Sequence, residues 1–427
     1  MAKKLRMVNL FNYLLIFNIF AGGFVLFSSP FEFYLGYIFI ILFLVVYIVH
    51  CKKFKINRIF FAVLAILTVS SLVNVYLGNT TVFSIAKQAF GILITATAYY
   101  LLIGINNYEI DKLFRIYLKI ALLVAAIGIF QELSFLVKFK QGYDFSYVIP
   151  KWGLVIADLG IPRLNSICLE PAHFAISMAP AFFVSLLNIF RKYSPYSGNK
   201  LCSLIIIISL ILTFSAIAYI AIFISLLLIF NIKKIKFLFL WVVIMPILFY
   251  AAYSNVPEIK LRVRDSVNVV TGSQKVANSN VSVYAIATNA FVAYKSFIDN
   301  PLFGAGLGSH PISYDKYLCS GGSIGFWNVY FPSVNAKDAG SLFLRLVSET
   351  GLFGILVVFY FIFKFRLKSI NYKNSEIISN AIFILFILQL IRQGHYFYNG
   401  FFFFVWMYYF SYKINNNTVG EIKIQHA

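Results

Sequence analysis

Two segments of the sequence bring an arginine and a glutamate to the start of an apolar stretch. In the first, Arg163 precedes Glu170 and Pro171. Because proline suits the first position of a helix, Glu170 is expected at a helix N-terminus, with His173 and Ser177 on the same helix face. A helix N-terminus beside an arginine favours a phosphate group, and a glutamate or histidine there is a candidate general base. The alternative is structural: Glu170 caps the helix and pairs with Arg163, while His173 is hydrogen-bonded inside a bundle.

The second segment runs from Asp338 to Gly351, and its predicted helix begins near Leu342. Arg345 and Glu349 lie one turn apart on that helix, so a simple salt bridge is one interpretation. Burying such a pair near lipid is costly unless water or a ligand meets it. Arg345 is therefore also a candidate phosphate ligand, with Glu349 in support.

Weaker candidates lie at other turns and helix ends. His310 leaves a glycine-rich turn that begins at Asn300. This turn does not follow a strand of a βαβ unit, so a dinucleotide fingerprint is excluded. Four further basic residues at predicted helix ends either help to bind phosphate or extend to the membrane interface: Arg262, Arg264, Arg392 and His395. No spacing of cysteine and histidine predicts a metal site.

These residues are positioned by a membrane-embedded helix bundle. Hydrophobic residues make up 61% of the 427 residues, charged residues only 12%, and the mean hydropathy is +0.83. The apolar stretches match bilayer-crossing helices, so we predict an all-α polytopic membrane protein with about twelve spans in a single membrane domain, 1–427. The predicted spans are Asn9–Ser29, Phe33–His50, Ile59–Leu77, Phe83–Ile103, Phe114–Phe135, Phe174–Phe190, Leu201–Phe214, Ile217–Phe230, Phe237–Tyr253, Leu342–Phe363, Ile377–Ile391 and Phe397–Phe410. The stretch around Ser215 fits either two short helices or one long helix, and two helices suit the charge pattern better.

The net charge of +21 is mainly a topology signal. Basic residues concentrate in every second connection, as the positive-inside rule requires when both termini are cytoplasmic. They include Lys3, Lys4, Arg6, Lys52, Lys53, Lys55, Arg58, Arg191, Lys192, Lys200, Lys233, Lys234, Lys236, Lys364, Arg366, Lys368, Lys373 and Lys413. This pattern predicts a cytoplasmic tail at 411–427 and argues against a nucleic-acid partner.

Two long connections, 136–170 and 254–340, are then external, the second between the ninth and tenth spans. Loops of this length are usually functional or disordered, and their aromatic content argues against disorder. In the second, Tyr284, Phe291 and Ile298 belong to a helical repeat, which predicts an amphipathic helix that either rests on the membrane or caps the bundle. A disulfide between Cys168 and Cys319 is conceivable, but free thiols are favoured.

Three short patches resemble the Wzy-type O-antigen and capsular repeat-unit polymerases. Arg163 with Glu170-Pro171 is the first, Asn300-Pro-Leu-Phe-Gly-Ala-Gly-Leu-Gly the second, and Glu349-Thr-Gly-Leu-Phe-Gly the third. The second and third are similar to a region that the polymerases share with O-antigen ligases. Ligases carry a His-Asn pair before the last glutamate, where this chain has Gly340-Ser341, and Ser-Arg on an earlier helix, where it has Ser215-Ala216. Both departures favour a polymerase.

The resemblance implies a GT-C-type glycosyltransferase of the bacterial inner membrane, inverting and independent of metals or other cofactors. Its donor and acceptor would both be undecaprenyl-diphosphate-linked oligosaccharides, and a chain-length regulator protein is a candidate partner. In that scheme Arg163 and Arg345 bind the diphosphate, and Arg262, Arg264 or Arg392 assist them. Glu170 is the general base, and His173 and His310 are the alternative bases.

Three alternatives stay open. An O-antigen ligase would have the same topology but a lipid A core acceptor. A flippase or other transporter should place ionisable residues near the bilayer midplane, where Lys87 and Lys119 are the clearest internal charges. A structural scaffold would not require arginine and glutamate at outward helix ends.

Overall fold

The described part of the chain forms a helical bundle with one short β-hairpin. The computed structural model describes the chain apart from residues 1, 30, 51–56, 158–159, 191–198, 231–245, 248–249, 251–252, 255–256, 320–332, 369–372 and 417–427. Within the described residues, seven helices are long and apolar enough to cross a membrane. The all-α polytopic prediction is confirmed at this level.

The helices of the first half are α1 Ala2–Phe17, α2 Leu35–His50, α3 Arg58–Tyr76, α4 Val82–Ile105, α5 Ile110–Leu136, α6 Lys140–Tyr143, α7 Pro171–Phe190, α8 Lys200–Ile211 and α9 Ala216–Ile229. Those of the second half are α10 Pro257–Val270, α11 Val281–Asp299, α12 His310–Tyr314, α13 Leu342–Lys364, α14 Asn374–Arg392 and α15 Phe401–Asn415. The two strands are β1 Val25–Phe27 and β2 Phe33–Tyr34, which pair antiparallel. The seven candidate spans are α3, α4, α5, α7, α11, α13 and α14.

Most predicted spans coincide with a helix, and the differences have local causes. The predicted first span to Ser29 is wrong at its end, because α1 gives way to a 3₁₀ turn at Asn18–Phe20 and then to the hairpin. Gly22 and Gly23 follow that turn, and glycine weakens a helix interior. The stretch around Ser215 forms two helices, as favoured, because Phe214 adopts a positive φ of 45° between them. Most of the predicted ninth span, Phe237–Tyr253, and most of the predicted tail lie outside the described residues.

Helix α7 lies in the centre of the bundle, packed against α8, α9 and α14. Pro180 interrupts its hydrogen-bond ladder, and the hydroxyl of Tyr117 enters at this point. It donates to the Ser177 carbonyl at 2.7 Å and accepts from the Ala181 amide at 3.3 Å. Tyr117 of α5 thus hydrogen-bonds backbone groups of α7 that would otherwise be left unpaired in an apolar core.

The helix predicted in the second long connection is α11, but the residues of its predicted apolar stripe do not all face the same way. Tyr284 is buried, whereas Tyr294 and Ile298 are exposed. The face packed on α13 is small and polar, with Asn289 and Ser296 fully buried. An apolar outer face with a polar inner face is typical of a helix that meets lipid, and α11 has the composition of a membrane span.

Candidate functional site

The glycine-rich segment after Asn300 is inserted into a break in α13. Gly351 has φ 57° and ψ −152°, which interrupts the helix two residues after Glu349. The carbonyls of Ser348 and Glu349 accept from the amides of Ala305 and Gly306 at 2.9 and 3.0 Å. On the other side of the break, Leu352 and Phe353 donate to residues 301 and 302, both at 2.9 Å. The two glycine motifs singled out in the sequence therefore form one unit.

Helix α3 and the loop after it hold this segment from the opposite side. The Asn74 side chain donates to the Gly304 carbonyl at 3.2 Å, and the Ser71 hydroxyl accepts from the Leu307 amide at 2.9 Å. The Thr80 hydroxyl donates to the Leu307 carbonyl at 3.0 Å. The backbone amides from Gly304 to His310 all donate to protein groups, which is what irregular backbone inside a membrane bundle requires.

Arg345 and Glu349 form a fully buried ion pair beside this unit. The Arg345 Nε lies 3.0 Å from Glu349 Oε1, and the side chains are 2% and 0% exposed. Glu349 also accepts from the amides of Gly308, at 2.8 Å, and His310, at 3.4 Å. Arg345 donates through Nη1 to the Gly394 carbonyl at 3.0 Å and stacks on Tyr396 at 4.5 Å. The pair joins α13 to the glycine segment on one side and to the chain after α14 on the other.

His310 is held by both ring nitrogens. Its Nε2 lies 2.9 Å from the Asn289 side-chain oxygen and its Nδ1 lies 2.9 Å from the Ser348 hydroxyl. An amide oxygen only accepts, so Nε2 donates and Nδ1 accepts. Burial, followed by the Arg345 charge, lowers the pKa of His310 to about 3. A neutral imidazole with both nitrogens engaged has no lone pair for a substrate proton, so His310 is placed as a structural residue.

His310 makes the stability of the protein depend on pH in a defined direction. Since its folded-state pKa lies below the ordinary value of 6.5, protonation favours the unfolded chain. The stabilisation is complete above that ordinary value and is lost as the pH falls from there toward 3. We expect the thermal midpoint of purified wild-type protein to fall between pH 7 and pH 4, and His310→Gln to reduce that slope.

The matched control is His50→Gln, because His50 is the exposed last residue of α2. This variant should keep the wild-type slope. An unchanged slope in His310→Gln would contradict the assignment.

A second group of polar side chains lies where α7 and α13 begin and α14 ends. We call it the polar cluster, and its members are Glu170, His173, Asp338, Arg392, Gln393 and His395. Gln393 Nε2 lies 3.1 Å from His173 Nε2, so the histidine accepts there and carries its hydrogen on Nδ1. That Nδ1 is buried with no partner among the described residues. A buried donor without a partner is costly and marks a position that a ligand can occupy.

Asp338 and His395 form the acidic and basic pair of the polar cluster. His395 Nε2 lies 3.3 Å from Asp338 Oδ2, and the histidine side chain is 40% exposed while the aspartate is 18% exposed. Burial would raise the pKa of Asp338, but the neighbouring His395 and Arg345 charges outweigh it and hold that pKa below its ordinary value. An ionised carboxylate thus orients an accessible imidazole, which is a suitable arrangement for proton transfer.

Arg392 is the available cation of the polar cluster. It is the last residue of α14, where the helix dipole favours positive charge. Its guanidinium adjoins Gly340, just before the start of α13. Arg392 forms no ion pair with any residue in the described part of the chain. Lys151 lies close enough to act electrostatically on His173 and pairs with Glu32 at 2.7 Å.

The structure separates the sequence-predicted residues into three groups. Glu170, His173 and Arg392 lie in the polar cluster, and Glu170 is exposed at the start of α7. Arg345, Glu349 and His310 form the buried unit beneath it. The remaining three have their described contacts elsewhere: Arg163 donates to the Thr213 carbonyl at 3.3 Å, and Arg262 and Arg264 lie on α10, with Arg264 3.7 Å from Asp265.

Sequence reasoning missed the pairing of Asp338 with His395 and the presence of Glu32, Lys151 and Gln393. The run Arg392-Gln-Gly-His-Tyr after α14 was the available signal, because it places several polar groups at one helix end.

Among the described residues, no three histidine, cysteine, aspartate or glutamate side chains form a group that could hold a metal ion. Cys168 is a buried free thiol, and the side chain of Cys319 lies outside the described residues.

Comparison with known proteins gives no match, either to a family model or to a curated protein. The features that bear on function are therefore the geometry of the polar cluster and the short patches of resemblance in the sequence.

Proposed function

We propose that this protein polymerises undecaprenyl-diphosphate-linked oligosaccharide repeat units into O-antigen or capsular polysaccharide at the external face of the bacterial inner membrane. The observation that supports it most is the convergence of two helix N-termini and Arg392 on a cluster that also contains an accessible Asp338–His395 pair. Arg392 has no ion-pair partner in the part of the chain that the structure describes. Helix N-termini and an arginine suit a diphosphate, and a carboxylate-oriented imidazole suits an acceptor hydroxyl. This is the pair of functions that glycosyl transfer from a lipid diphosphate needs.

In the proposed reaction the acceptor hydroxyl oxygen attacks the anomeric carbon of the donor sugar. The bond between that carbon and the diphosphate oxygen breaks, and undecaprenyl diphosphate leaves with the electron pair. Arg392, assisted by Lys151, stabilises the negative charge on the leaving group without a metal. The hydroxyl proton passes to His395 or Glu170, and attack opposite the leaving group inverts the anomeric centre.

Arg345 receives a different role in this proposal from the one expected on sequence. Its Nε is bonded to Glu349 and its Nη1 to the Gly394 carbonyl, and the side chain is only 2% exposed, so Arg345 is not accessible to an incoming diphosphate. By holding Gly394 it fixes the backbone between Gln393 and His395. Arg345 is therefore a positioning residue, and Arg392 takes the diphosphate. Arg163, bonded to the carbonyl of Thr213 between α8 and α9, is assigned to the support of the loop that leads to Glu170.

The main alternatives differ in what they require of these residues. A ligase would use the same cluster with a lipid A core acceptor, and the absence of its His-Asn pair weighs against it. A transporter would need its ionisable residues near the middle of the spans, whereas those of the polar cluster lie at helix ends. The position of the polar cluster thus favours chemistry at the membrane surface.

The function is tested by complementing a host deletion strain with Arg392→Gln. Because the variant lacks the charge for the leaving diphosphate, we expect surface glycan of one repeat unit and a loss of long chains of about 100-fold or more. Arg58→Gln is the matched control, since Arg58 is an exposed arginine at the other end of the bundle. Complete loss of surface glycan with Arg392→Gln would indicate a flippase, and wild-type chain lengths would refute the site, provided that both variants reach wild-type levels in the membrane.

The base is identified in the same strain with His395→Gln and Glu170→Gln. Long chains should be lost in His395→Gln if the Asp338-oriented imidazole takes the proton, and in Glu170→Gln if the carboxylate does. Arg163→Ala should shorten chains only to the extent that it lowers the amount of folded protein.

A further inference from the structure

A cavity of about 820 Å³ opens at the end of the bundle opposite the polar cluster. It lies between α1, the start of α5, the start of α14 and the end of α15. Its volume falls within the range of small-molecule sites, about 300–1,000 Å³. The lining residues are Asn9, Tyr13, Tyr108, Glu109, Ile110, Asp111, Lys112, Arg115, Ile116, Lys119, Lys373, Asn374, Ser375 and Ile414.

The charged groups of this cavity are mainly basic and lie on two helices. Lys112, Arg115 and Lys119 follow one another at i, i+3 and i+7 on one face of α5, and Lys373 adjoins the start of α14. Four basic residues face two acidic ones, Glu109 and Asp111, so the lining has a net charge of two positive units. The carboxylate of Asp111 accepts from Asn374 Nδ2 at 2.7 Å, and Lys112 donates to the Asn106 side-chain oxygen at 3.3 Å.

Lys119 is the residue that the proposed function does not explain. It lies nine residues after Ile110, which places it about 13 Å along α5 from the helix start. The side chain is exposed, and neither Lys119 nor Lys373 forms an ion pair with a residue that the structure describes. A lysine within a membrane span is costly unless water or an anion meets it.

The apolar part of the lining indicates what kind of anion fits. Ile110, Ile116 and Ile414 border the cavity beside the lysines, together with the rings of Tyr13 and Tyr108. A soluble anion gains nothing from such surface, whereas a phospholipid brings a phosphate and hydrocarbon together. Basic pockets between spans on the side marked by the positive-inside rule suit anionic headgroups.

We infer that this cavity binds the phosphodiester headgroup of an anionic phospholipid from the cytoplasmic leaflet, with Lys119 and Lys373 as the phosphate ligands. The site is independent of the proposed transfer reaction, because it lies at the other end of the spans and shares no residue with the polar cluster. Bound lipid would tie α5 to α14, two helices that also contribute to the opposite end, where Gln131 and Arg392 lie.

The inference is tested with the full-length protein in detergent, titrated with phosphatidylglycerol and, separately, phosphatidylethanolamine while lipid-bound states are counted by native mass spectrometry. Wild-type protein should bind phosphatidylglycerol more tightly. Because each lysine near an anionic headgroup contributes appreciably, Lys119→Gln with Lys373→Gln should weaken that binding by about tenfold or more. The control is Lys138→Gln with Lys140→Gln, two exposed lysines near the other end of α5, which should bind as wild type does.

Three results would overturn the inference. Equal binding of the two lipids, or an equal loss of phosphatidylglycerol binding in both double variants, would show that the cavity lysines do not recognise the lipid. Displacement of phosphatidylglycerol by soluble glycerol phosphate at the same concentration would assign the site to a soluble phosphate ligand instead. Retained folding of the double variant is checked by its elution on size exclusion and its thermal midpoint.

Discussion

Replacement of Glu349 by alanine is expected to destabilise the protein by about 3–5 kcal/mol, because it leaves the Arg345 guanidinium buried without its counter-charge. Both side chains are essentially inaccessible to water. The same substitution leaves the amides of Gly308 and His310 without their acceptor. The free energy of unfolding in detergent, followed by thermal or denaturant unfolding, measures the effect.

Three comparison variants separate the charge from the hydrogen bonds. Gly308 and His310 donate to different oxygens of the carboxylate, so Glu349→Gln keeps an acceptor for one of the two amides and should cost less than Glu349→Ala. Arg345→Met combined with Glu349→Gln removes both charges and should recover part of the loss, giving a coupling energy in a double-mutant cycle. Asp299→Ala is the matched control, since Asp299 pairs with Lys316 at the surface, where ion pairs contribute about 0–1 kcal/mol. Equal destabilisation by Glu349→Ala and Asp299→Ala would contradict the buried pair.

The second large effect is expected for Gly351→Ala, at the break in α13. A β-carbon at this position would lie 2.6 Å from the Gly304 amide nitrogen and 2.7 Å from the Pro301 carbonyl oxygen. The backbone conformation, with φ 57° and ψ −152°, is also essentially restricted to glycine. Overpacking against backbone costs about 1–3 kcal/mol and the strain about as much again, so we expect a total loss near 4 kcal/mol.

Gly78→Ala is the control for this variant, because Gly78 also has a positive φ, 73°, but nothing lies within 4 Å of an added β-carbon. It should show the conformational cost alone, about 1–2 kcal/mol. The difference between the two variants in thermal unfolding reports the contact between the glycine segment and α13. If the two variants lose equal stability, the inserted segment does not pack as described.

Several features follow from local sequence. The apolar runs determined a helical membrane bundle, because stretches of that length and composition have no other way to satisfy their backbone in lipid. Pro171 and Ser341 determined where α7 and α13 begin, and the spacing of Arg345 and Glu349 determined that they meet. All of these depend on residues within a few positions of one another.

Other features depend on contacts between distant parts of the chain. The sequence offered two separate glycine motifs and several scattered polar residues at helix ends. It contained no sign that residues 301–306 enter the break at Gly351, that α11 turns its polar face inward, or that His395 meets Asp338. The ends of the ninth span and the orientation in the membrane stay predictions.

The difference between what local sequence determines and what tertiary structure decides is clearest for the arginine and glutamate near the start of α7 and of α13. Their spacing established that Arg345 and Glu349 contact each other, but only the tertiary structure turned that pair inward and left Arg392 as the available cation. The physical reason is competition for partners. Glu349 is drawn to the amides of Gly308 and His310, and Arg345 to the Gly394 carbonyl, and these partners are brought within reach only when the segments around them have packed.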